Sequence, residues 1–252
     1  MHIKEGQVDQ LNFRVFDNRK EMGKVAAKEV ANKICALLDR QESVRMIFAA
    51  APSQIEFLQA LLQEKEIEWE RIIAFHMDEY IGLKDSVSQK FSAFLKMHIF
   101  DKVPFKKVHL IDGSNDATEE CQRYAKLINA EPIDIICLGI GENGHIAFND
   151  PPVAEFNDKE VMKIVELDAS CRQQQVNDGC FETFDEVPTH ALTLTIPAMM
   201  SGAHLFCIVP GASKKTAVKR TLTGTVSTQC PATILREHPD CHMYVDRDSY
   251  DL

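Results

Sequence analysis

The sequence predicts an α/β fold in which helices cover both faces of a mostly parallel sheet. Short apolar runs alternate along the chain with segments whose apolar residues recur every three or four positions. The first pattern is typical of strands buried on both faces, the second of helices that bury one side, and their alternation is what repeated strand–helix–strand units produce. The 252 residues suit one large domain, 1–252, because no change in composition marks a boundary.

These two patterns predict the elements in order. Asp17 and Asn18 can cap a first helix that runs to about Arg40, and further helices are expected up to about Glu64, over 88–100, over 118–129 and up to about Leu222. Strands are expected over 44–50, 72–75, 108–111, 133–138, 161–167, 188–195, 203–209 and 243–246. No element is assigned to the polar run 173–181.

The composition limits the partners and the compartment. With 28 basic and 38 acidic residues the net charge is −10, which argues against nucleic acid as the main partner. No apolar run is long enough to cross a membrane and the N-terminus has no signal core, so the cytoplasm is expected. The eight cysteines form no C-x-x-C pair, which favours free, buried thiols over a metal site.

The stretch Ile133–Pro152 holds the densest group of polar side chains that follows a buried strand. Three glycines free the backbone after the apolar run 133–138, and His145 follows, flanked by Asn143 and Asp150. Ligands of open α/β sheets bind at the carboxyl ends of strands, and imidazole titrates near neutrality, so a proton-transfer site is predicted here. The alternative is a surface histidine at an ordinary junction. A dinucleotide site is disfavoured, because the proline pair stands where its helix should begin.

Two other strand ends carry candidate groups. After the strand over 72–75, the adjacent carboxylates of Asp78 and Glu79 can supply a general base, or they can belong to an ordinary acidic loop. After the strand over 44–50, the loop with Ala51 and Ser53 leads into a helix, whose free N–H groups suit a phosphate. Here Ser53 can instead simply cap the helix.

The segments Gly139–Pro151, G-I-G-E-N-G-H-I-A-F-N-D-P, and Met77–Leu83, M-D-E-Y-I-G-L, resemble signatures of the glucosamine-6-phosphate deaminase/isomerase family. The family is related to the 6-phosphogluconolactonases, whose loop diverges after the Gly144-His145 pair. The resemblance covers nearly the whole chain. It implies a Rossmann-like three-layer α/β/α sandwich and an enzyme that converts glucosamine 6-phosphate and water to fructose 6-phosphate and ammonia, with no metal or redox cofactor.

The resemblance also implies roles at the reacting end. Asp78 matches the family's carbon-acid base, while Glu79 lies on the other side of the chain and orients the loop. His145 matches the histidine that opens the sugar ring, and Asn143 and Asp150 match the positions that set its tautomer and charge. Asn143 carries no charge, and Asp150 is one methylene shorter than the glutamate that most members have there.

Five residues are candidates for binding the substrate and its phosphate: Ala51, Ser53, Gly144, Arg172 and Lys214. Ser53 matches a threonine of a G-G-T-P-like loop whose glycines are absent here, and Lys214 matches the family's phosphate-binding lysine, with Lys215 as its competitor. Gly179 stands where the family has a phosphate-binding arginine. Arg172 could take over that contact, as could a glutamine of the polar run, or Arg172 could form a surface salt bridge.

Three alternatives stay open beside the deaminase. The substrate could be another amino-sugar phosphate, such as galactosamine 6-phosphate. A 6-phosphogluconolactonase is opposed by the Ile146–Pro151 continuation, and the altered phosphate loop makes a non-catalytic sugar-phosphate sensor conceivable. The expected partner is a small sugar phosphate, with neither nucleic acid nor membrane, in a possible homo-oligomer. No allosteric regulation is predicted, because the family's activator-binding basic residues are not evident after Pro152.

Overall fold

A computed structural model describes residues 2–84 and 87–251. Its strands are β1 (Lys4–Val8), β2 (Leu11–Phe16), β3 (Val44–Phe48), β4 (Ile72–His76), β5 (Asp78–Tyr80), β6 (Lys107–His109), β7 (Ile135–Leu138), β8 (Met162–Glu166), β9 (His190–Leu194), β10 (His204–Val209) and β11 (Cys241–Asp246). The α-helices are α1 (Arg19–Leu38), α2 (Ile55–Leu61), α3 (Phe91–Leu95), α4 (Ala117–Ile128), α5 (Ala169–Asn177), α6 (Ile196–Met200) and α7 (Lys215–Thr223). Short 3₁₀ turns include Pro52–Gln54, Ala212–Lys214 and Pro231–Glu237, and α3 continues as a π-helical turn, Lys96–Phe100.

The central sheet has eight strands in the order β1-β2-β11-β10-β7-β3-β4-β6. Only β1 is antiparallel to its neighbour, and every other pair is parallel. The chain builds outward from β3 through β4 to β6, returns to β7 beside β3, and then builds outward on the other side. The strand order therefore reverses between β3 and β7, which is where open α/β sheets form their ligand crevice.

Alternate residues of the sheet strands enter two separate cores, one on each face. Met46 and Phe48 of β3 pack in the core that contains α1, α2 and α3, whereas Ile47 packs in the core that contains α4, α6 and α7. Two-residue periodicity of strand side chains produces this division. The predicted three-layer α/β/α sandwich with a mostly parallel sheet is confirmed.

A second, three-stranded antiparallel sheet has the order β5-β9-β8. The strands predicted over 161–167 and 188–195 are present as β8 and β9, but they lie in this sheet and not in the central one. Asp78 follows β4 after a single residue, and with Glu79 and Tyr80 it forms the strand β5, where the sequence predicted a loop. This segment forms a strand because it pairs with β9, a contact between parts of the chain that are far apart in sequence.

Helix α1 begins as predicted, since the Asn18 side chain accepts a hydrogen bond from the backbone N–H of Glu21. No pattern in the sequence predicted α5, although this helix covers most of the polar run. The hairpin β1–β2 was also missed, even though Leu11, Phe13 and Val15 alternate with polar residues.

Candidate active site

A cavity of about 390 Å³ opens at the carboxyl ends of the central strands. The segments that follow β3, β4, β7 and β10 all contribute to its wall, and the end of α5 closes another side. Of the predicted site residues, the cavity brings together Ala51, Ser53, Asp78, His145 and Lys214. Asn143, Gly144, Asp150 and Arg172 do not line it.

Asp78 presents a carboxylate to the cavity with little access to water. The residue is 6% exposed, and no hydrogen bond to its carboxylate is found in the described part of the chain. Burial, with a smaller contribution from the charge of Glu79, raises the pKa of Asp78 well above its ordinary value. A buried carboxylate without donors is a stronger base than one in water, which suits the removal of a proton from carbon.

Glu79 points away from the cavity and holds the neighbouring backbone. Its carboxylate accepts hydrogen bonds from the N–H groups of Tyr80, Phe91 and Ser92. These contacts tie β5 to the start of α3. The predicted orienting role of Glu79 agrees with this geometry.

His145 lies directly over Gly141. A Cβ built on Gly141 would come within 2.2 Å of Cε1 and Nε2 of the imidazole, so only glycine leaves room for the ring. Nδ1 of His145 lies 2.8 Å from Oδ1 of Asp150, and the backbone N–H of His145 donates to Oδ1 of Asn143. The carboxylate next to Nδ1 leaves Nε2 as the nitrogen available to a ligand.

Asp150 is fully buried behind His145. Burial opposes its charge, but the adjacent His145 and the hydrogen bonds from His145 and Asn143 outweigh burial and lower the pKa of Asp150. Nδ2 of Asn143 donates both to Asp150 at 2.8 Å and to Ser170 at 3.1 Å. Asn143 therefore fixes the orientation of Asp150, as well as that of the His145 backbone.

Cys171, which the sequence analysis did not select, lies next to this pair. Its thiol, an imidazole nitrogen of His145 and a carboxylate oxygen of Asp150 all lie within 4.8 Å of one another, the only such set of three found among residues 2–84 and 87–251. These groups could hold a metal ion. The absence of a metal from the reaction stays a prediction.

Strand β9 supports both the segment that carries Asp78 and the loop that carries His145, a role that the sequence did not reveal. Thr193 pairs with Asp78 across the small sheet, and its Oγ1 accepts a hydrogen bond from the backbone N–H of Phe148. Asn149 donates from its side chain to the carbonyl of Leu194 on the same strand. The His145 loop and the Asp78 strand are thus attached to one support, which holds their side chains in a fixed relation.

At the other end of the cavity, the loop after β3 forms a 3₁₀ turn, Pro52–Gln54, before the seven-residue helix α2. The Gln54 side chain donates to Oγ of Ser53 and to the carbonyl of Ile208 on β10, so Ser53 is oriented by its neighbour. The side chain of Ser53 does not cap α2.

Gly144 does not line the cavity. It packs against Cys230, and its carbonyl accepts a hydrogen bond from the N–H of Ala232.

Lys214 and Lys215 face in different directions. Lys214 is 4% exposed and lines the cavity. Burial lowers its pKa, although the negative charges of Asp178 and Glu142 act in the opposite direction. Lys215 is exposed and pairs with Asp251 at 3.7 Å. The geometry therefore agrees with the choice of Lys214.

Arg172 is turned away from the cavity. Its guanidinium lies 4.1 Å from the ring centre of Phe184 and donates to the carbonyls of Phe184 and Val187. This is neither a phosphate contact nor the surface salt bridge considered as its alternative. Residues of the same helix, Gln174 and Gln175, line the cavity instead. The polar run gave no periodic pattern by which their direction could be predicted.

Comparisons with known proteins agree with these features. A sequence model of the family described as glucosamine-6-phosphate isomerases/6-phosphogluconolactonase matches residues 17–243. A glucosamine-6-phosphate deaminase of Bacillus cereus (strain G9842) is 33% identical over 243 residues, which are 96% of this chain and 89% of that protein. One from strain B4264 is 37% identical over 194 residues, 77% of this chain and 72% of that protein.

Solved structures extend the similarity to the fold. A monomeric glucosamine-6-phosphate deaminase of the NagB superfamily superposes with a TM-score of 0.86 and 26% identity, covering 94% of this chain and 98% of that chain. The 6-phosphogluconolactonase of Thermotoga maritima gives a TM-score of 0.76 at 18% identity, over 94% of this chain and 100% of that one, which shows the shared fold alone. No helix of the described residues is long and apolar enough to cross a membrane.

Proposed function

Since the chain belongs to the glucosamine-6-phosphate isomerase/6-phosphogluconolactonase family, we propose that it converts glucosamine 6-phosphate and water to fructose 6-phosphate and ammonia. The observation that carries the proposal is the shared cavity. The carboxylate of Asp78 on β5 and the imidazole of His145 in the loop after β7 both line it, and β9 supports both segments.

His145 opens the sugar ring by transferring a proton. Nε2 takes the proton of the anomeric hydroxyl and delivers it to the ring oxygen, so that the bond between C1 and the ring oxygen breaks and an aldehyde forms. Asp150 beside Nδ1 stabilises the imidazole while it carries this extra proton. Asn143 keeps Asp150 in place.

Asp78 carries out the isomerisation. Its carboxylate removes the proton from C2 and returns a proton to C1, which moves the double bond to the carbon that bears nitrogen. Water then adds to C2 and ammonia leaves, which gives fructose 6-phosphate. The raised pKa of Asp78 makes its carboxylate a stronger base for removal of the proton from C2.

The phosphate is assigned to the end of the cavity with Ser53 and Lys214. A buried ammonium supplies the attractive charge, and the Ser53 hydroxyl with the adjacent backbone of Ala51 supplies neutral contacts. The −10 net charge of the chain repels phosphate at long range, so this local cation is essential to binding.

The test is turnover of glucosamine 6-phosphate, with ammonia and fructose 6-phosphate measured together. We expect both products in equal amounts, and a loss of about 10²–10⁴-fold for Asp78→Asn, the range that a general base contributes. Asp101→Asn, an exposed carboxylate outside the cavity, is the matched control. Folded protein that gives unequal products or none contradicts the proposal.

Parallel assays separate the alternatives. Galactosamine 6-phosphate tests whether the substrate is this other epimer. Hydrolysis of 6-phosphogluconolactone tests for lactonase activity, which the hydrogen bonds of Phe148 and Asn149 to β9 do not by themselves favour. Binding of fructose 6-phosphate without any turnover would identify a sensor. The possible homo-oligomer is tested by the mass in solution, for which the monomeric structural relative provides the comparison.

A further inference from the structure

The end of α5 forms a polar wall of the cavity that the mechanism above does not use. Gln174, Gln175 and Asp178 all line the cavity there. The carboxamide of Gln174 is held at both ends, because its Oε1 accepts from the N–H of Glu142 and its Nε2 donates to Asp178 at 3.3 Å. Gln174 is therefore part of the wall's own framework.

Gln175 differs from its neighbour. It is only 6% exposed, yet its side chain makes no hydrogen bond to any residue that the structure describes. The amide nitrogen and oxygen of Gln175 are not among the fully buried side-chain atoms that lack a partner, so they remain open to the solvent of the cavity. An unpaired amide in this position can exchange that solvent for a ligand.

The charge of the cavity shows what kind of ligand group this amide would meet. Among the lining residues described, Lys214 is the only lysine or arginine, and Arg172 is engaged with Phe184 and Val187. Lys214 and Asp178 line the same cavity, and Asp178 accepts a hydrogen bond from Gln174 of the α5 wall. The wall and the single cation thus border the same cavity.

We propose that Gln175 binds the phosphate of the substrate directly, as a neutral donor that complements the single charge of Lys214. The inference rests on the proposed function, and it names a specificity residue at that site. Gly179, one turn farther along, has no side chain, and a Cβ there would meet nothing within 4 Å. An amide with the reach of Gln175 supplies the hydrogen bond without adding a second positive charge.

The experiment compares four proteins: wild type, Gln175→Met, Gln175→Glu and Gln173→Ala. Methionine keeps the length and the packing of the side chain but removes the donor, whereas glutamate keeps the shape and adds a charge that repels phosphate. Gln173 is the matched control, because it lies on the same helix, is exposed and bonds only to Asn177.

The expected result separates binding from chemistry. For Gln175→Met, KM for glucosamine 6-phosphate and the inhibition constant of inorganic phosphate both rise about 10-fold or more, as for a lost hydrogen bond to a charged group. kcat stays within about threefold of wild type, since the reacting carbons lie at the other end. Gln175→Glu weakens both further, and Gln173→Ala changes neither.

Two outcomes overturn the inference. One is an unchanged inhibition constant for inorganic phosphate in folded Gln175→Met, and the other is a fall in kcat with KM unaffected. Calorimetric binding of fructose 6-phosphate to wild type and Gln175→Met tests the same contact without turnover. Failure of wild type to release ammonia would therefore sink the proposed function, while equal binding by the two proteins would sink the role of Gln175.

Discussion

The two ends of the cavity are built in opposite ways. At the proposed reacting end, His145, Asp150 and Asn143 contact one another within eight residues of a single loop. At the phosphate end, Ser53, Gln175 and Lys214 come from three distant segments. Neither the side chain of Gln175 nor that of Lys214 forms a hydrogen bond with the part of the chain that the structure describes.

The difference reflects what each end must do. Proton transfer depends on the orientation of a few groups. A network that is already ordered in the free protein does not have to lose conformational entropy during the reaction. Anion binding needs donors that are free to exchange water for ligand, so the groups stay unsatisfied until the ligand arrives. The following variants test this contrast.

After the loss of activity expected for Asp78→Asn, the next largest effect is expected from Gly141→Ala. The new Cβ would overlap the His145 ring and displace it from Asp150, and a misplacement of about 1 Å can lower kcat about 10²-fold. KM for glucosamine 6-phosphate should change little, because the phosphate end is untouched. Steady-state kinetics decide the point, and a rise in KM at constant kcat would show that the two ends are not independent.

Lys214→Met should affect KM for glucosamine 6-phosphate. Loss of a charged hydrogen-bond donor worth about 1.5–3 kcal/mol raises KM about 10- to 100-fold. Lys215→Met, which alters the exposed ion pair with Asp251, is the control and should resemble wild type. If Lys215→Met has the larger effect on KM, the assignment of the phosphate to Lys214 is wrong.

Gly179→Arg should have a smaller and opposite effect. The space around its Cβ is open, so an added arginine can approach the phosphate, and a partly exposed charge pair of about 0.2–1 kcal/mol lowers KM up to about fivefold. The positive φ of 73° disfavours a side chain there, so a lower melting temperature is expected as well. Kinetics and thermal unfolding are measured together, and a raised KM would contradict an open phosphate end.

Asp78→Asn should stabilise the folded protein slightly while it lowers turnover about 10²–10⁴-fold. The folded state raises the pKa of Asp78, so it retains a proton that the unfolded chain releases above the ordinary pKa of 3.8. The charge of Asp78 therefore lowers stability increasingly as pH rises above that value. The melting temperature of the variant should exceed that of wild type at about pH 8 by roughly 2–4 °C for each kcal/mol relieved. The gain should shrink toward about pH 5, and a gain independent of pH would exclude this origin.

The sequence by itself determined the layers of the fold and the group of polar side chains around His145. The strand over 133–138, the cap at Asn18 and the side chains around His145 depend on neighbours close in the chain, so local periodicity and the two signatures sufficed. The resemblance also selected Lys214 over Lys215 as the phosphate-binding lysine from its position relative to Gly224; Lys214 lines the cavity, and its phosphate contact stays a prediction.

Only the tertiary structure decided how distant segments meet. It placed Asp78 on a strand paired with Thr193, turned Arg172 toward Phe184, and brought Gln175 from an unpredicted helix into the cavity. Polar side chains on α5 have no apolar stripe to show which way they face, since the helix buries them against a ligand cavity instead of a core. Their direction follows from packing between elements far apart in sequence, which no local pattern encodes.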